Sequence, residues 1–257
     1  GPAAKQAGQV FPNAAISTDT NDVFAAEDVD LVLIGTRHDS HAELSVRALE
    51  AGKGVFVEKP MCLTPEEFEN IRRAVESGEA PYMVGYNRRF APLIQRIREI
   101  VGQRVNPLMI QYTMNAGYIP YDHWTQTTEG GGRIIGEACH IIDLFRCLVG
   151  APARSLSVDA LRPAAGSAHS TDNGVITVSF VDGSLATLVY TAQNAPSVPK
   201  ERMEIAFDGK SIVLDDYRKA SADGIRFAAA GSKQPEKGHR GALSVLHGMS
   251  AKEGERL

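Results

Sequence analysis

The sequence predicts an α/β protein in two parts. A truncated parallel sheet occupies residues 1–86, and an α+β domain built on an open antiparallel sheet occupies 87–257. Three observations predict this. Apolar runs at Asp30–Thr36, Val55–Val57 and Pro81–Tyr86 alternate with helical stretches, the order expected of a doubly wound parallel sheet. A strong apolar stripe at helical spacing fills 133–149. Beyond it, strand-like runs are punctuated by Asp182-Gly183 and Asp208-Gly209, both signals of tight hairpin turns.

Residues 2–10 read as the end of a helix, and Thr20–Ala26 as a short turn of another. Asp30–Thr36 is almost wholly apolar, as expected for a parallel strand buried on both faces. Ser40–Ala51 follows as an amphipathic helix with Gly52 and Gly54 at its end. After the strand at Val55–Val57, Thr64-Pro65-Glu66-Glu67 starts a helix that runs to Gly78. It has a threonine N-cap, proline at the first helical position and glutamate at the third. From Tyr86 the pattern changes: Arg88–Val101 reads as a helix and Leu108–Met114 as a strand. Gly130-Gly131-Gly132 leads into the long helix, which sets Ile134, Ile135, Ala138, Ile141, Ile142, Phe145, Leu148 and Val149 on one face.

Strands follow near Ser155–Leu161, Val175–Val181, Leu185–Thr191, Arg202–Phe207 and Lys210–Leu214, and Gly231–Gly241 reads as a polar loop. Alternation sends Ile176, Val178 and Phe180 toward the 133–149 helix. It sends Val175, Thr177, Ser179 and Val181, joined by Thr187 and Val189, the other way. Helices are too few to cover both faces of this sheet, so the outward face is expected to pair in a homo-oligomer, although antiparallel sheets often keep one face in water.

Composition narrows the function. The 257 residues carry 43% hydrophobic and 23% charged residues with a formal net charge of −4, ordinary for a soluble globular protein. That charge gives no electrostatic reason to expect nucleic acid or an anionic membrane as partner. Cys62, Cys139 and Cys147 are too few and too unevenly spaced for a disulfide framework or a zinc site, so a reducing, cytoplasmic setting and no metal are expected.

The chemistry concentrates at two strand ends. In open α/β sheets, ligands bind beyond the carboxyl ends of the strands. Thr36-Arg37-His38 ends one strand and Glu58-Lys59-Pro60 the next, which aims polar side chains at one crevice. A sheet that binds dinucleotides normally opens with a G-x-G-x-x-G turn, whose amides hold the pyrophosphate. No such turn stands in the first half. The chain therefore reads as starting partway through the sheet, short of a unit of roughly 30 residues.

These segments together resemble the Gfo/Idh/MocA family of NAD(P)-dependent oxidoreductases. The likeness rests on the apolar strand at Asp30–Thr36 with His41 five residues later, GKGVFVEKP at 52–60, YNRRFAP at 86–92 and GGGRIIGEACHIIDL at 130–144. TRHDSHA at 36–42 and KGH at 237–239 are similar to the oxidoreductase half of bidomain enzymes found near bacterial polysaccharide genes. The resemblance implies that Lys59 meets nicotinamide and substrate and that His140 acts in proton transfer. Thr36, His41 and Glu58 would line the cofactor groove, with Arg37 and Pro60 beside them. Asn87 and Arg88 would sit near nicotinamide and substrate. The chain departs from the family in two places. Arg37 stands where many members have proline, and Gly136 where many have aspartate, which leaves Glu137 as the nearest acid to His140.

Each of these residues also has a plainer reading. Lys59 could simply pair with Glu58, and His140 could be held by a helix neighbour. Glu137 could pair only with Arg133, and Asp143 with Arg146. His41 either reaches the cofactor or sits in the first turn of its helix. Arg37 and Arg88 could bind an anionic group or be solvated charges. His123 and Trp124 could stack a sugar, or the indole could anchor a core. The resulting expectation is hydride transfer at a sugar-like or cyclitol-like hydroxyl or carbonyl. NAD or NADP binding would be weak or absent for want of the glycine-rich turn. The rival is a non-catalytic binding or dimerisation module derived from the same family.

Overall fold

Short aliphatic runs pair in parallel to make the first sheet. In the computed structural model, which describes residues 2–162, 172–225 and 241–243, β1 (Leu31–Ile34), β2 (Gly54–Val57) and β3 (Tyr82–Val84) lie side by side in that order. Leu31 stands opposite Gly54, and Val55 opposite Tyr82. The helices of this region are α1 (Pro2–Val10), α2 (Thr20–Ala25), α3 (His41–Glu50) and α4 (Pro65–Ser77). α4 starts as its sequence requires. The Thr64 hydroxyl accepts from the Glu67 amide at 3.2 Å, and the Glu67 carboxylate accepts from the amides of Thr64 and Leu63. α3 begins one residue later than expected. A 3-10 turn over His38–Ser40 precedes it, and the Ser40 hydroxyl bonds Thr36 and the Arg37 carbonyl instead of capping the helix.

Ile34, Val55 and Val57 pack with Ala48 and Leu49 of α3 to form the core here. The expectation that β1 is buried on both faces is corrected. Leu31 and Leu33 point away from that core, and Leu33 is 71% exposed. Leu33, Phe56 and Met83 share one row of the opposite face by register, and that row lies outside the core cluster.

The second sheet is larger. β4 (Met109–Asn115), β5 (Ala153–Ala160), β6 (Gly174–Phe180), β7 (Leu185–Thr191), β8 (Glu201–Phe207), β9 (Lys210–Asp215), β10 (Lys219–Asp223) and β11 (Gly241–Leu243) run in the order β11-β10-β9-β8-β4-β7-β6-β5. Neighbours are antiparallel except β4 and β7, which pair in parallel with Met109 opposite Leu185. The sheet is therefore mixed, because β4 enters its centre from an earlier part of the chain. Asp208 and Gly209 both take positive φ, as a two-residue hairpin demands. β10 was not anticipated.

Helices α5 (Pro92–Val101) and α6 (Cys139–Val149) cover one face. The helix expected from Arg88 starts only at Pro92. The residue before a proline is pushed out of helical conformation, and Ala91 is accordingly extended at ψ 136°. Asn87–Phe90 forms a separate 3-10 turn. One π-helical turn over Ile134–Ala138 precedes α6 and rotates Ile135 off the apolar stripe to 39% exposure. Ile141, Leu144, Phe145 and Leu148 meet Ile176, Val178 and Phe180 in the core, as alternation along β6 predicts.

The chain divides into two units, Gly1–Gly85 and Tyr86–Leu257. Of the loop expected over Gly231–Gly241, residues 231–240, with the KGH tripeptide at 237–239, lie outside the described residues, whereas Gly241 opens β11. No helix among the described residues is long and apolar enough to cross a membrane.

Candidate active site

In the first unit the strand ends are tied together through the main chain. The Glu58 amide donates to the Ile34 carbonyl at 2.8 Å, which locks the start of the Glu58-Lys59-Pro60 loop to the end of β1. The Glu58 carboxylate accepts from the Lys59 amide at 3.3 Å. It rests against Gly85, where an added Cβ would stand 3.3 Å from both its oxygens. Lys59 is half-buried, and its peptide bond to Pro60 is cis. Thr36 shares a 2.6 Å hydroxyl contact with Ser40. Arg37 is exposed, and Pro60 is buried. His41 is buried, with Nδ1 2.8 Å from the Pro60 carbonyl oxygen and Nε2 3.1 Å from that of Thr36. Gly35, at the end of β1, faces open space on the side where a Cβ would stand. Burial, seconded by Glu67, pushes the Cys62 thiol up and keeps it protonated.

In the second unit the arginines are committed to carboxylates. The Arg88 guanidinium grips Glu201 with two bonds, Nε to Oε2 at 3.1 Å and Nη2 to Oε1. Tyr112 donates to the same carboxylate, and its hydroxyl lies 3.1 Å from that of Tyr217. Burial works against the Arg88 cation, but Glu201 outweighs it and the net shift is upward. Arg88 is thus neither a solvated charge nor, in this arrangement, an unoccupied anion site. Arg89 makes a matching two-bond pair with Asp143 of α6, which corrects the expected Asp143–Arg146 pair. The turn carrying Asn87 is held at both of its arginines.

His140 is buried, with the Tyr86 ring edge-on at 6.1 Å between centroids. Glu137 pairs with Arg133 at 3.0 Å. Arg133 is 2% exposed and also donates to the carbonyls of Ala116 and Gly117. Glu137 Oε2, the Tyr190 hydroxyl and Asp172 Oδ1 are buried without a hydrogen-bond partner. Burial first, and the Glu137 charge second, raise the Tyr190 phenol far above its usual value. His123 is exposed and contacts the Thr125 hydroxyl at 2.8 Å, and its ring lies 6.0 Å from the half-buried Trp124. Gly130 lies so close to the Thr125 backbone that a Cβ would stand 2.3 Å from it, so only glycine fits there. Among the described residues, no group of three His, Cys, Asp or Glu side chains could hold a metal ion.

Sequence reasoning missed Glu201, Tyr112, Tyr217, Asp172 and Tyr190. Asp216-Tyr217 forms a turn with both residues at positive φ, a conformation that bulky side chains rarely adopt and that the sequence does not announce.

A parallel sheet with polar strand ends, followed by a mixed sheet covered by helices, defines a Rossmann-type α/β architecture with a second α+β domain. Residues 2–86 match the oxidoreductase family with an NAD-binding Rossmann fold, and residues 95–213 match the GFO/IDH/MocA C-terminal domain. The chain belongs to the Gfo/Idh/MocA family. Among curated relatives, it is 28% identical to an inositol 2-dehydrogenase of Rhizobium meliloti, over 77% of this chain and 61% of the relative. It is 25% identical to an uncharacterized oxidoreductase, YrbE, of Bacillus subtilis, over 81% of this chain and 62% of the relative. The chain thus spans about six-tenths of the length of these two relatives. Among solved structures, a levoglucosan dehydrogenase in complex with NADH and levoglucosan superposes with a TM-score of 0.79. Identity there is 21%, over 99% of this chain and 75% of that one, which speaks for the fold alone.

Proposed function

We propose that this protein serves NAD(P)-dependent hydride transfer at a hydroxyl or carbonyl of a sugar-like or cyclitol-like substrate. The observation that carries this reading is the edge where β1 and β2 end side by side, bringing Thr36, Glu58 and Lys59 to the carboxyl end of one parallel sheet. Relatives named for inositol oxidation support the substrate class.

The residues fit the nicotinamide end of a dinucleotide. Open space beside Gly35 and the polar groups of Thr36 and Glu58 suit a flat ring with a carboxamide. The 257 residues contain no G-x-G-x-x-G turn for the pyrophosphate. Hydrogen bonds to charged groups contribute about 1.5–3 kcal/mol each, so forgoing two weakens binding about a hundredfold or more. NAD(H) or NADP(H) should accordingly bind this chain weakly.

The nicotinamide, when bound, accepts or returns the hydride. Lys59 donates to the substrate oxygen as an ammonium and takes its proton when neutral. His140 serves as a second proton carrier, with Glu137 three residues away as its acidic neighbour. Asn87, on the turn clamped by Arg88 and Arg89, would serve nicotinamide and substrate, and Arg37 and Pro60 would help to hold the cofactor. His123 and Trp124 offer a stacking surface to a sugar ring. The outward face of the second sheet, with Val175 and Val189 exposed, pairs with another copy. Three free thiols suit a reducing, cytoplasmic setting.

The test is oxidation of inositols and anhydro-sugars by the whole chain with saturating NAD or NADP. Lys59→Met should lower turnover about a hundredfold or more without moving the melting temperature. Undiminished turnover in that variant would refute the role of Lys59. Absence of turnover in the parent with every substrate favours the binding-module reading, for which the exposed sheet face speaks.

A further inference from the structure

One imidazole in the first unit reaches two acceptors that belong to different loops. His41 opens α3 and is 1% exposed. Its Nδ1 lies 2.8 Å from the carbonyl oxygen of Pro60, and its Nε2 lies 3.1 Å from that of Thr36. Thr36 follows β1, whereas Pro60 closes the Glu58-Lys59-Pro60 loop after β2. Both ring nitrogens thus face main-chain oxygens, which only accept. With both nitrogens turned to the main chain, the ring has neither one left for a dinucleotide. The other side of the loop is fixed as well: Glu58 bonds back to Ile34 through its amide and accepts from the Lys59 amide through its carboxylate. Lys59 therefore sits between two restraints, Glu58 before it and the His41–Pro60 bond after it.

We propose that His41 is a positioning residue for Lys59, its imidazole tying the carbonyl of Pro60 to that of Thr36 so that the lysine is presented from a fixed backbone. This deepens the proposed function, which supplies the reason for holding Lys59 still, but the restraint exists without cofactor or substrate and is measured without them. The His38 ring lies 5.7 Å from that of His41 between centroids. Sequence spacing alone leaves His41 equally suited to touching the cofactor, and the two carbonyl contacts speak for the positioning role.

The test compares amine labelling of the whole chain by a limiting acetylating ester, read lysine by lysine by mass spectrometry. Lys53 supplies an internal control. It is buried in the same unit, and its Nζ donates to the carbonyls of Ala26 at 2.6 Å and Val29 at 2.9 Å, so it labels only when the unit opens. In His41→Leu, which keeps bulk and removes both ring nitrogens, the labelling rate of Lys59 should change by about threefold or more, as for a locally released loop, while Lys53 stays protected. His41→Gln returns an amide donor and should move Lys59 part of the way back. Three results would each overturn the proposal: unchanged Lys59 labelling in His41→Leu, Lys53 and Lys59 rising together, or His41→Gln behaving like His41→Leu. Loss of all NADH-linked turnover in the parent, with the labelling pattern as expected, would sink the oxidoreductase reading and leave the restraint standing.

Discussion

The two units satisfy their buried ionisable side chains differently. In the first, ionisable side chains lean on main-chain carbonyls: His41 on Pro60 and Thr36, Lys53 on Ala26 and Val29. In the second, arginines are locked to carboxylates, Arg88 to Glu201, Arg89 to Asp143, Arg133 to Glu137 and Arg104 to Asp182. Hydrogen bonds to carbonyls leave a side chain whatever charge it carries. Ion pairs cancel it, so the second unit gains rigidity and gives up cations that could have met a ligand. The difference teaches that an arginine in a functional motif cannot be assigned to substrate until its carboxylate partners are known.

The largest effect should follow from breaking the second unit's central pair. Glu201→Ala strands the half-buried Arg88 and removes the acceptor of Tyr112, and removing one partner of a buried pair costs about 3–5 kcal/mol. Urea denaturation should show that loss in the transition of the second unit, and a change under 1 kcal/mol would mean the pair is relieved by water. A smaller loss is expected in the first unit. Lys53→Met removes two bonds to carbonyls, and a buried acceptor left unsatisfied costs about 1–3 kcal/mol. If Lys53→Met proves the more damaging of the two, the contrast drawn between the units is wrong. Smallest in stability, yet plain in assembly, is Val189→Lys on the outward face of the second sheet. It should leave the melting temperature within about 1 °C, since surface substitutions usually stay within ±0.5 kcal/mol, and should lower the mass seen by light scattering. A parent already at 27.7 kDa would remove the oligomer from the proposal.

The parts legible in the sequence were those written locally. The Thr64-Pro65-Glu67 start of α4, the Asp208-Gly209 turn and the alternation along Val175–Val181 each depend on residues within a few positions, and the structure contains all three. β10 escaped because Lys219-Ala-Ser-Ala-Asp223 has neither β-branched nor aromatic side chains and is held in the sheet by pairing with β9 and β11. The parallel pairing of β4 with β7 is a property of topology and leaves no mark on either strand. The partners of Arg88 and Arg89 lie far along the chain, at Glu201 and Asp143, so no spacing rule could have supplied them. The helix assigned from Arg88 was an error of weighting, since Pro92 already marked the start.

The place of β4 in the second sheet also bears on biosynthesis. Met109–Asn115 leaves the ribosome well before the two strands that will flank it, because its register partners are Leu185–Thr191 on one side and Glu201–Ala206 on the other. Until then it is a strand with both edges bare, alternating buried Ile110, Tyr112 and Met114 with more exposed residues. Such a segment is a template for wrong partners, and sheets closed by distant pairings form slowly. Helix α5 is made before it and α6 within that interval, and both can shield its apolar side. Nascent chains halted between residues 150 and 184 should therefore be those that chaperones hold longest.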